Sequence, residues 1–131
     1  MKKELPALVF LLVAAQLIFS SCKKEAGTGG TSSIRGKVYG INLRNGARAD
    51  SGYVGDVRVF IHYADNPWAD DETRTSYSGD YQFRWLNKGK YKISIISECD
   101  SCPMEQTGVF LTTEIKNNNE SIILPDLVGY Y

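Results

Sequence analysis

The chain has 131 residues with 15 basic and 15 acidic side chains, a formal net charge of zero. That balance supplies no basic field to hold nucleic acid. A single histidine means that any Ser-His-Asp or Cys-His arrangement must be built around that one residue.

Residues 1–21 read MKKELPALVFLLVAAQLIFSS. A basic start at Lys2 and Lys3 precedes an apolar run that Gln16 interrupts, well short of the roughly 20 residues that span a bilayer. This pattern reads as a secretory signal peptide. Phe19-Ser20-Ser21-Cys22 resembles the lipobox of bacterial lipoproteins. The resemblance implies cleavage before Cys22, diacylglycerol on its sulfur, and anchoring to the membrane of a bacterial envelope. More than one acyl chain is what makes such an anchor stable. Lys23, where inner-membrane retention favours Asp, points to the outer membrane. Loss of residues 1–21 removes two lysines and one glutamate, leaving 13 basic and 14 acidic residues. Residues 22–33 are expected to form the lipidated cysteine and a flexible Gly/Ser/Thr tether, with a reach of roughly 15 to 20 Å.

From Ile34 to Tyr131 the apolar residues recur with period two. Ile34, Gly36 and Val38 form one set, and Val57, Val59, Ile61 and Tyr63 a second. Tyr81, Phe83 and Trp85 form a third, with Leu86 closing the end of the sandwich. Tyr91, Ile93 and Ile95 follow, then Val109, Leu111, Thr113 and Ile115, and last Ile122 and Leu124. Turn signals separate the sets, among them Asn45-Gly46, Asp65-Asn66-Pro67, Ser78-Gly79-Asp80 and Asn87-Lys88-Gly89. About seven short strands of this kind predict an all-β, antiparallel sandwich over residues 34–131. The segment 40–56 is long for a connection, and Asn45-Gly46 within it predicts a small hairpin.

The stretches IRGKVYG, VGDVRVFI and YSGDYQFRWLNKGKYKISI resemble the carboxypeptidase regulatory-like, or transthyretin-like, sandwich domain. The marked positions of its hairpin are Gly79, Tyr81, Phe83, Leu86, Gly89, Tyr91 and Ile93. What the resemblance implies is a non-enzymatic accessory, scaffold or binding module without a cofactor.

Two places carry candidate chemistry. Cys99-Asp100-Ser101-Cys102 is open to three readings: a structural disulfide, a thiol–disulfide redox pair or half of a metal site. The redox pair is the alternative function, although it calls for a helix start that the pattern does not supply. The loop ADNPWADDETR, residues 64–74, gathers Asp65, Asp70, Asp71 and Glu72 around Trp68. Those carboxylates read as a solvated acidic loop, and no metal is expected there. Trp68 stands where no core alternation calls for it. It can stack on a sugar ring, anchor a protein partner, or fold back over one end of the sandwich. The expected binding surface is this loop, with the 40–56 segment as its neighbour, and the expected partner is a protein or a glycan.

Overall fold

The computed structural model describes residues 25–131. The segment expected to be a signal peptide, and Cys22, the expected site of lipidation, lie outside the described residues. Nine strands follow in order: β1 (Thr28–Arg44), β2 (Ala47–Tyr53), β3 (Arg58–Tyr63), β4 (Asp71–Arg74), β5 (Asp80–Leu86), β6 (Gly89–Glu98), β7 (Gln106–Ile115), β8 (Ser121–Ile123) and β9 (Leu127–Tyr130). A 3-10 turn at Pro103–Glu105 precedes β7 and is the only helical element among the described residues.

The strands form two sheets. In one, β1 is flanked by β5 and β2 along one edge and by β8 and β9 along the other. The second runs β4-β3-β6-β7, antiparallel throughout. The inward rows meet between them. Ile34 and Val38 come from β1, Val59 and Ile61 from β3, Tyr81, Phe83 and Leu86 from β5, and Tyr91, Ile93 and Ile95 from β6. Ile115, Leu124 and Leu127 complete the core. Each such side chain contributes about 1.5–3 kcal/mol on burial, and this shared row is what holds the two sheets face to face. The expected sandwich is therefore the observed fold.

Four details differ from, or sharpen, the sequence expectation. Asn45 and Gly46 both take positive φ, 52° and 74°, the condition for a tight two-residue turn between β1 and β2. The 40–56 segment is thus a hairpin, and it raises the strand number above seven. The last strands number two because Pro125 interrupts the ladder, and both run parallel to β1.

Strand β1 begins at Thr28, so residues 28–33, expected as tether, belong to the sheet. Backbone pairing needs no apolar side chain, and glycine is useful here. A Cβ on Gly30 would overlap the backbone carbonyl of Leu86, so only glycine permits this approach.

Trp85 does not continue the inward row of Tyr81 and Phe83. Two steps along β1, Ile34 to Ser32, are matched by three along β5, Phe83 to Leu86. The extra residue is a β-bulge, with Trp85 at φ 60° and 67% exposed while Leu86 takes the core position.

Candidate functional site

Three features converge at one end of the sandwich: the start of the described chain, the β3–β4 loop and the β5–β6 turn. Tyr91, nearly fully buried, joins two of them. Its hydroxyl donates to the Asn87 carbonyl at 2.7 Å and accepts from the Gly27 N–H at 2.9 Å. The Asn87 N–H in turn donates to the Gly27 carbonyl at 2.8 Å. Tyr63, the last residue of β3, lies opposite Tyr91 in register and leads straight into the loop that carries Trp68.

That loop is fixed by its own polar groups. Asp70 accepts from the Tyr63 N–H and from the Asn66 side-chain amide, each at 2.7 Å. The Asn66 side-chain oxygen accepts from the Trp68 N–H at 3.2 Å. His62, buried beneath, contacts the Asn66 carbonyl through Nδ1 at 3.2 Å and the Ser94 hydroxyl through Nε2 at 3.1 Å. A carbonyl only accepts, so Nδ1 carries a proton and donates it to the Asn66 oxygen. The histidine is thus a support for the loop.

Trp68 projects from this braced backbone 79% exposed. Of the expected fates, folding back over the sandwich is not the one observed. Of the acidic residues around it, only Asp70 is drawn into the loop. Asp71 accepts from the neighbouring Glu72 N–H, Glu72 faces Arg58 at 3.8 Å, and Asp65 is exposed. Among the described residues, no group of three His, Cys, Asp or Glu side chains could hold a metal ion.

Trp85 lies at the same end, on the bulge beside the β5–β6 turn, and sequence reasoning placed it in the core. The missed signal is the adjacency of two large apolar residues, Trp85 and Leu86, which breaks the period of two. An aromatic residue in the left-handed region costs about 1–3 kcal/mol, and such strain gathers at sites where a side chain must be aimed. A cleft of about 610 Å³ opens beside the two tryptophan-bearing segments, lined by Glu25, Ala26, Tyr63, Asn66, Asp70 and Lys88 among others.

The 40–56 hairpin does not join this surface. Strand β1 runs 17 residues from the tryptophan end, so the Asn45-Gly46 turn lies at the opposite end. There it shares a cleft of about 540 Å³ with Cys99, Asp100 and Ser101. Cys99 and Cys102 form a disulfide, with S–S 2.05 Å and Cα–Cα 5.5 Å, closing the turn between β6 and β7. A larger cleft of about 810 Å³ crosses β1 and β5. Its charges are partly neutralised: Lys37 pairs with Asp80 at 3.1 Å and Arg74 with Asp56 at 2.8 Å.

No family model matches the chain, and no curated protein matches it either. Among solved structures, a protein of Pseudomonas aeruginosa proposed to bind carbohydrate aligns over 76% of this chain and 91% of its own. Its sequence identity is 13% and its TM-score 0.49. An (S)-allantoin synthase aligns over 79% of this chain and 43% of its own, with 13% identity and a TM-score of 0.43. At these values neither likeness carries a functional argument.

Proposed function

We propose that this chain is a lipid-anchored, non-enzymatic binding module of a bacterial envelope, and that it takes a glycan at the tryptophan end. The observation that carries the reading is the pair Trp68 and Trp85, 79% and 67% exposed, at one end of one sandwich. Both stand on backbone that is locally held, Trp68 by Asn66 and Asp70, Trp85 by the bulge. Exposed indole rings carried on fixed backbone suit stacking on the apolar face of a sugar. The Asn66 amide, Asp70 and Lys88, which line the cleft at the same end, supply polar groups for hydroxyls.

The place of the anchor supports a ligand at the membrane surface. Cys22 precedes Glu25 by three residues, a span of at most about 10 Å when extended. The tryptophan end would therefore face the bilayer that holds the lipid. Strands β5 and β6 lie in different sheets, so the expected hairpin is instead a connection between the two layers. Its inward Tyr81, Phe83, Leu86, Tyr91 and Ile93 support the resemblance to carboxypeptidase regulatory-like domains.

The test is calorimetric titration of the chain from Lys23 onward with glycans extracted from the envelope, beside Trp68→Ala and Trp85→Ala. Binding that falls at least tenfold in each variant supports the reading. Binding untouched by both, or capture of proteins alone, overturns it. Mass spectrometry of the mature N-terminus tests the anchor: an acylated Cys22 supports it and an unmodified one refutes it.

A further inference from the structure

We infer that β7 is a dimerisation edge, on which a second copy of this chain lays its own β7 antiparallel. The inference is independent of the glycan reading. Among the described residues, β7 pairs with β6 alone, through ten consecutive residue pairs without a bulge. Its other side therefore presents a row of backbone N–H and C=O groups to solvent.

Other edges carry protection that β7 lacks. Strand β4 spans four residues, three of them charged: Asp71, Glu72 and Arg74. Strand β5 ends in the Trp85 bulge, and β8 spans three residues and is soon followed by Pro125. Strand β7, QTGVFLTTEI, contains no proline and no lysine, and Glu114 is its single charge. Its inward side chains Val109 and Leu111 pack on the core but are only partly buried, and Phe110 on the outer face is 60% exposed.

The strand is complementary to itself in one register. A two-fold axis perpendicular to the sheet keeps inward rows inward, so paired residue numbers must sum to an even value. Centring the axis on Phe110 places Phe110 opposite its own copy, Val109 opposite Leu111 and Thr107 opposite Thr113. It also sets Gly108 opposite Thr112 and Gln106 opposite Glu114. Aromatic, apolar and Thr–Thr pairs are the favourable cross-strand combinations, and no like charges are opposed. Shifting the axis to Leu111 instead sets Val109 against Thr113 and Phe110 against Thr112. The Phe110 register joins the two four-stranded sheets into one continuous sheet. Because the copies are antiparallel, their tryptophan ends lie at opposite extremes.

The test uses the chain from Lys23 onward, which keeps every strand. Phe110→Cys places two thiols opposite each other across the axis, within the Cα separation that a disulfide needs. Oxidation is expected to convert most of it to a covalent dimer, at least fivefold above Thr112→Cys, whose partner position is Gly108. In sedimentation the parent doubles its mass as concentration rises, whereas Leu111→Lys, with unchanged circular dichroism, stays a monomer. Equal cross-linking of the two cysteine variants, or a parent that is monomeric at every concentration, overturns the inference. So does a folded Leu111→Lys chain that dimerises like the parent.

Discussion

The Tyr81 hydroxyl is a buried polar group without a partner. Its residue is 3% exposed, and among the described residues no donor or acceptor meets its oxygen. The group lies under Gly36, its neighbour in register, where an added Cβ would come 2.5 Å from the hydroxyl oxygen. An unsatisfied buried hydroxyl costs about 1–3 kcal/mol. Tyr81→Phe removes the oxygen and keeps the ring, so stability is expected to rise by about 1 kcal/mol or more. For a domain of about 100 residues that is roughly 4–8 °C in Tm per kcal/mol.

Burial pushes the Tyr81 hydroxyl well above the usual phenol range, and Asp126 adds to the shift. A phenol whose pKa is raised by burial leaves stability level below its unfolded value, near 10 for tyrosine, and lowers it as pH rises further and the unfolded chain ionises first. The parent should therefore lose stability above about pH 10, and Tyr81→Phe should flatten that alkaline limb. Gly36→Ala should cost about 1–3 kcal/mol by overpacking. That cost should shrink in the Tyr81→Phe background, because one of the crowded atoms is gone. Urea titration of the four chains between neutral and alkaline pH measures all of this. A Tyr81→Phe chain destabilised by more than about 1 kcal/mol would refute the reasoning, since the hydroxyl would then have a partner worth more than its burial costs.

Trp85→Gly relieves a left-handed backbone and removes a largely exposed ring, so unfolding stability should stay level or rise by up to about 1 kcal/mol. A thermal melt checks this, and a clear loss would mean that the ring packs. Tyr91→Phe deletes the bonds to Asn87 and Gly27 and should cost about 1–2 kcal/mol. Amide hydrogen exchange should show faster exchange at Gly27 in that variant, and an unchanged rate contradicts the bracing role. Cys102→Ser opens a ring of four residues, worth about 2 kcal/mol by loop entropy, so the melting temperature falls modestly. Cooperative unfolding should survive, because the disulfide closes one turn and neither cysteine belongs to the shared core.

The sandwich was legible because its core depends on period-two rows, and Asn45-Gly46 announced its hairpin through the two positive φ angles that asparagine and glycine tolerate. Thr28 to Ser33 misled because composition speaks for side chains, while that segment is held by backbone pairing and by the close approach at Gly30. The Trp85 bulge was hidden for a related reason: alternation assumes unbroken register, and one inserted residue exchanges the roles of Trp85 and Leu86. Trp68 stood out in its loop, but which loops share its end follows from strand lengths and register. The 17 residues of β1 carry the hairpin away from the loop it was expected to join.

The most direct measurement of the central claim is a fluorescence titration with purified envelope glycolipid in detergent. Two chains are compared, each with one tryptophan replaced by phenylalanine so that a single indole reports. If the tryptophan end is the binding surface, emission from Trp68 and from Trp85 shifts to the blue along the same saturation curve. Titration that leaves both emissions unchanged, while calorimetry on the same samples registers binding, would contradict the account.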